Sequence, residues 1–170
     1  MNIANLIVQW VLANLTAWTP WQNRAQINGI DLPGVYLIAE LLPPGPAHPF
    51  DEETVCIGST SRPLSERLDQ FDATAFRGQG SHGPAERHRE NRGAAADSLS
   101  VCVLALDLQE PWRSIVPPFL ESLLFWAYKE RTGDLPFDNR IAITCVSLGK
   151  KGIVRRPASL DYYTDICINE

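Results

Sequence analysis

The chain has 170 residues, 45% of them hydrophobic and 21% charged, with five Trp and six Phe. That length and composition predict one globular domain with a short extension and leave room for a sizeable core. The formal net charge of −5 excludes a global electrostatic pull toward nucleic acid, so any phosphate binding must come from a local patch.

The four cysteines, Cys56, Cys102, Cys145 and Cys167, form no CxxC pair, and three of them sit in apolar runs. Reduced core thiols are therefore expected, which suits a cytoplasmic location. The first residues carry neither a basic stretch nor a small-residue cleavage site, so no signal peptide is expected. No apolar run reaches the roughly 18 residues that a membrane-spanning helix needs, so no membrane partner is expected.

Along the chain, Ile3, Leu6, Ile7, Trp10, Val11 and Leu15 recur at three-to-four spacing. They predict an amphipathic helix over residues 3–17, ended by Pro20, with Trp18 and Trp21 as packing partners. Such a stripe either packs on the domain or forms a homo-oligomer contact. Asp31-Leu32-Pro33-Gly34 is a turn into a first strand at residues 35–41. A proline-rich loop at 43–53 leads to a second strand at 54–57, which makes an antiparallel hairpin with an unusually long connection. Ser61 is placed to cap a helix with Pro63 in its first turn. That helix runs to about Phe71 with Leu64, Leu68 and Phe71 buried, and Arg67 borders its buried face.

Residues 73–97 show no clear period. They contain a glycine-rich loop at 77–84 and one or two helical turns at 85–91, carrying His82, His88, Arg77, Arg87, Arg89 and Arg92. Residues 98–106 form a third strand, apolar on both faces and therefore central. Residues 112–118 read as a connection, and residues 118–131 as a helix stopped by Gly133. Leu120, Leu124 and Ala127 lie along one side of it, and Glu121 borders that stripe early in the helix. A turn at 135–139, a further strand at 141–148, a basic segment at 150–156 and a tail complete the chain. The expected fold class is α+β: a small mixed or antiparallel three-stranded sheet flanked by helices. The expected divisions are an N-terminal helical extension (1–30), a central domain (31–148) and a C-terminal basic segment and tail (149–170).

The ordered pieces Gly34-Val35-Tyr36, Cys56-Ile57-Gly58, Leu64-Ser65-Glu66-Arg67-Leu68, Leu120-Glu121-Ser122-Leu123-Leu124 and the segment ending at Asn139 resemble the GIY-YIG nuclease family. The resemblance covers about residues 32 to 140. It implies hydrolysis of DNA phosphodiester bonds with one divalent metal, Mg2+ or Mn2+. It further implies Glu121 as the metal ligand, Arg67 as the phosphate contact, Tyr36 as the base or positioning group for water, and Asn139 as a residue that orients the site. Two positions depart from the pattern. Cys56 stands where the second signature has a tyrosine, and Phe71 stands where many members have His or Tyr. The connection at residues 37–55 is also longer than usual. His82 and His88 are the candidates to compensate, and Arg77, Arg87 and Arg89 to bind substrate. The alternative is a catalytically weakened or inactive module that binds nucleic acid or a protein partner.

Overall fold

Strand β2 (Gly34–Ala39) is buried along its whole length, because both of its edges and both of its faces are covered. It pairs antiparallel with β3 (Thr54–Thr60) on one side and with β4 (Ser100–Ala105) on the other. A two-residue strand, β1 (Thr19–Pro20), adds to the far edge of β4, so the sheet order is β1-β4-β2-β3. The structure is a computed structural model and describes residues 3–93 and 96–139. The strand expected at 141–148, the basic segment, the tail, Cys145 and Cys167 lie outside the described residues.

The class is α+β, but the expected sheet of three strands is corrected to four, antiparallel throughout. Two residues are too few to show a period of two, and Pro20 is tolerated because β1 is an edge strand. Side chains of β2 alternate between two cores. Tyr36 and Ile38 face a cluster with Trp21, Leu64, Leu68 and Phe71, whereas Val35 and Leu37 face one with Val8, Val11, Leu120 and Leu124.

Helix α1 (Ile3–Asn14) ends earlier than expected, before the segment that bonds to β4. There Thr16 donates its N–H to Val103 O at 2.9 Å and accepts from Val103 N at 3.0 Å through Oγ1. The buried side of α1 is Val8 and Val11. Ile3, Leu6 and Trp10, expected within the packed stripe, are instead 73%, 47% and 51% exposed. Trp21, Ile27 and Ile30 belong to the core under the sheet, so the expected extension is part of the same packed body.

Helix α2 (Leu64–Arg77) runs beyond Phe71 to Gly78, whose left-handed φ of 65° ends it. Its expected cap, Ser61, makes no cap bond, and Pro63 holds the cap position. The orphan amides of the first turn go instead to the preceding turn: Leu64 N to Leu32 O at 2.9 Å and Ser65 N to Ile30 O at 2.8 Å. Helix α3 (Gly83–Arg92) follows, with His82 at its N-cap. Helix α4 (Trp112–Thr132) includes the segment expected to be a connection, because Pro117 and Pro118 lie inside it. A helix start at Pro118 follows the usual rule that an interior proline removes an amide donor, yet the helix runs through both prolines. The long β2–β3 connection folds back on α4, with Phe50 edge-on to Tyr128 at 5.9 Å and the Tyr128 hydroxyl donating to Thr54 O at 3.2 Å.

Candidate functional site

The strand period sends Tyr36 to the face covered by α2 and α3, directly across from Gly58. A Cβ at Gly58 would lie 2.3 Å from the Tyr36 Cζ and hydroxyl oxygen, so glycine is what lets the phenol lie across β3. The ring is only 1% exposed. Its oxygen lies 3.4 Å from His82 Nε2, and His82 Nδ1 accepts the Ala85 N–H at 3.4 Å as the cap of α3. Burial raises the Tyr36 phenol far above the ordinary tyrosine range, with Cys56 and Glu121 adding to the rise and the Arg67 guanidinium opposing it. The phenol is therefore protonated at neutral pH. Burial, then the cations of Arg67 and Arg87, push His82 down to about 4, so the imidazole is neutral.

Arg67, on α2, donates from Nη1 to Gln70 Oε1 at 3.2 Å. Its Nε is buried and has no hydrogen-bond partner among the described residues. An unpaired buried donor of this kind costs about 1–3 kcal/mol, a cost that an anion bound there would remove. Its charge is felt at Tyr36, Cys56, His82 and Glu121, so it is the electrostatic hub of the cluster.

Glu121 approaches from α4, on the other face of the sheet. Ser59, which pairs with Val35 and so faces α4, donates its hydroxyl to Glu121 Oε2 at 2.7 Å. The site thus straddles β3, the edge strand. Burial raises the Glu121 carboxyl, with the Ser59 bond and Arg67 opposing. Because α4 begins at Trp112, Glu121 lies well beyond its first turn. The position early in a helix is corrected, and the helix dipole does not account for a carboxylate there.

Other expected site residues do structural work. Asn139 bonds to both backbone groups of Ile57 on the free edge of β3: Oδ1 accepts from Ile57 N at 2.7 Å and Nδ2 donates to Ile57 O at 2.9 Å. Its amide is therefore occupied by β3, so what it holds in place is the edge strand that carries Gly58 and Ser59. His88 packs against Phe71 and Phe76 and bonds through Nδ1 to Asp138 Oδ2 at 2.9 Å. It ties α3 to the 3-10 turn Phe137–Asn139 and is not brought to the phenol. Arg77 pairs with Asp72 at 3.3 Å, and Arg89 donates to Thr74 O at 2.9 Å, joining α3 to α2. Arg87 alone of the three expected substrate arginines belongs with the cluster. Its Nε donates to Asp138 O at 2.6 Å, its terminal nitrogens lie beside Gly83, and its charge is felt at His82 and Cys56. Cys56 is buried, and burial raises its thiol well above the usual range, so it is no nucleophile.

Sequence reasoning missed Ser59, Asp138 and the packing role of Gly58. Ser59 follows Gly58 on the strand and so points to the opposite face; that carries meaning only once α4 is known to lie there. For a metal, no group of three or more His, Cys, Asp or Glu suited to an ion occurs among the described residues. One buried carboxylate with a hydroxyl beside it still fits Mg2+ or Mn2+ of the kind that keeps several waters and takes a single protein carboxylate together with substrate phosphate oxygens. No described helix is long and apolar enough to cross a membrane. No family model, no curated protein and no solved structure matches this chain.

Proposed function

We propose that the chain is a metal-dependent endonuclease that hydrolyses DNA phosphodiester bonds at a GIY-YIG-like site. The observation that carries the reading is the unpaired, buried Nε of Arg67, in electrostatic reach of a protonated phenol and a buried carboxylate. Such a donor suits a non-bridging phosphate oxygen, where a charge-assisted bond strengthens as negative charge develops. Glu121, held by Ser59, would hold Mg2+ or Mn2+. When bound, that ion supplies charge neutralisation at the scissile phosphate and the leaving oxygen. Tyr36 keeps its proton, so it orients the attacking water or a phosphate oxygen by donating a hydrogen bond instead of acting as the base. Arg87 adds a second cation on the α3 side. The buried free thiols Cys56 and Cys102 support a reducing, cytoplasmic setting.

The test is supercoiled plasmid and branched DNA incubated with the full chain over a series of divalent ions. Nicking or cutting with Mg2+ or Mn2+, abolished by Glu121→Ala and by Arg67→Ala, is the expected result; intact DNA throughout rejects the activity on those substrates. A second reading is a catalytically weakened module that binds nucleic acid or a protein partner. Cys56 motivates it, since a buried thiol replaces a group with a long polar reach. Undiminished DNA affinity with no Mn2+ binding would favour that reading. Self-association through α1 belongs to either reading and is supported by the exposure of Ile3, Leu6 and Trp10.

A further inference from the structure

We propose that His82 is the positioning residue of Tyr36: a neutral imidazole clamped on the N-terminus of α3 donates from Nε2 to the phenol oxygen and so turns the hydroxyl proton into the site. The inference rests on the endonuclease reading for its catalytic consequence but not for its geometry. His82 Nδ1 accepts from the Ala85 N–H at 3.4 Å, so in a neutral ring the proton sits on Nε2. That nitrogen lies 3.4 Å from the Tyr36 oxygen. A phenol oxygen that accepts from an imidazole must send its own hydrogen elsewhere; Arg67 has only donors and itself bonds to the phenol, so the charged neighbour left to receive it, directly or through a bound ligand, is Glu121.

The imidazole has little freedom. It is 2% exposed and stands edge-on to Phe71 with centroids 5.5 Å apart. The helix it caps is anchored at three points: Arg87 to Asp138 O, His88 to Asp138 and Arg89 to Thr74 O. The neighbouring cations, Arg67 and Arg87, oppose protonation of the ring. Of the other groups in reach of the phenol, Arg67 is a charged donor, Cys56 directs its thiol to Ile57 O and Phe71 offers only a ring. His82 is thus the neutral polar partner that sets the hydroxyl direction.

The informative substitution is His82→Asn. Asparagine is among the strongest N-caps, so the cap of α3 is retained, but one amide cannot serve both Ala85 and Tyr36. His82→Asn, Tyr36→Phe and the double variant are compared by thermal melting, by imidazole 15N NMR on the His-containing proteins, and by plasmid nicking with Mg2+. The expected NMR result is the Nε2–H tautomer of His82, with its Nε2 resonance moved in Tyr36→Phe. His82→Asn is expected to lower kcat about 10- to 100-fold at unchanged KM and melting temperature, with no further loss when added to Tyr36→Phe. An Nδ1–H tautomer, a His82 resonance indifferent to Tyr36→Phe, a wild-type rate in His82→Asn, or losses that multiply in the double variant overturns the proposal. If the wild-type chain cuts no DNA, the endonuclease reading fails, and the two NMR measurements still decide the His82–Tyr36 contact.

Discussion

Replacing Glu121 with Gln removes a charge while keeping the side chain's size and an oxygen to accept the Ser59 hydroxyl at 2.7 Å. Two effects oppose each other. The charge-assisted bond from Ser59 weakens to a neutral one, a loss of about 1 kcal/mol. Relief from holding a buried carboxylate is worth more, because the desolvation of an ion costs several kcal/mol. The metal-free variant should be the more stable at neutral pH, by on the order of 1 kcal/mol, or roughly 2–4 °C for a chain of this size. The pH dependence has a definite sign. Burial raises the folded-state carboxyl above its ordinary 4.5, so its contribution to stability is complete below about 4.5 and is lost as pH rises through the folded value. The gap between variant and wild type should therefore close in acid and open toward neutrality. Mn2+ should reverse the order. At about 100-fold excess over its dissociation constant a ligand adds about 2.7 kcal/mol, and only the wild type should gain it. Differential scanning calorimetry with EDTA and with Mn2+, from pH 4 to 8, measures both effects. A variant less stable than wild type in EDTA at neutral pH, or an equal Mn2+ gain in the two proteins, refutes the reasoning.

Gly58→Ala places a methyl 2.3 Å from the Tyr36 oxygen; overpacking of that kind costs about 1–3 kcal/mol, and an unchanged urea midpoint would contradict the packing described. Asn139→Ala removes the side-chain acceptor of Ile57 N and leaves Ile57 O with only the weak bond from the Cys56 thiol. It should cost about 2 kcal/mol, and amide exchange of Ile57 should rise more than that of Leu37, a comparison that a uniform loss of protection would sink. Leu6→Glu with Trp10→Glu, on a face already exposed, should move stability by less than about 0.5 kcal/mol. If α1 mediates self-association, the double variant is smaller than wild type by sedimentation; equal masses remove that contact.

Local pattern was enough to find β2, β3, β4 and the hairpin, because alternating or continuous apolar runs bounded by turns leave few other backbone choices. It also placed Arg67 and Glu121 at the margins of apolar faces, while Tyr36 was singled out by the resemblance, and the fold brings the three into electrostatic reach of one another. Element ends were less legible. The first turn of α2 is satisfied by carbonyls of Ile30 and Leu32, and α4 continues through two prolines, both decided by neighbours and not by propensity. The use of each polar side chain was legible least of all. Asn139 meets Ile57, Arg87 and His88 meet the Asp138 turn, and His82 meets Tyr36 across 82, 51, 50 and 46 residues of chain. A hydrogen bond spanning such a separation leaves no periodic trace, so composition and spacing could nominate these residues while only the tertiary structure decided which meet in the buried polar cluster and which hold the frame.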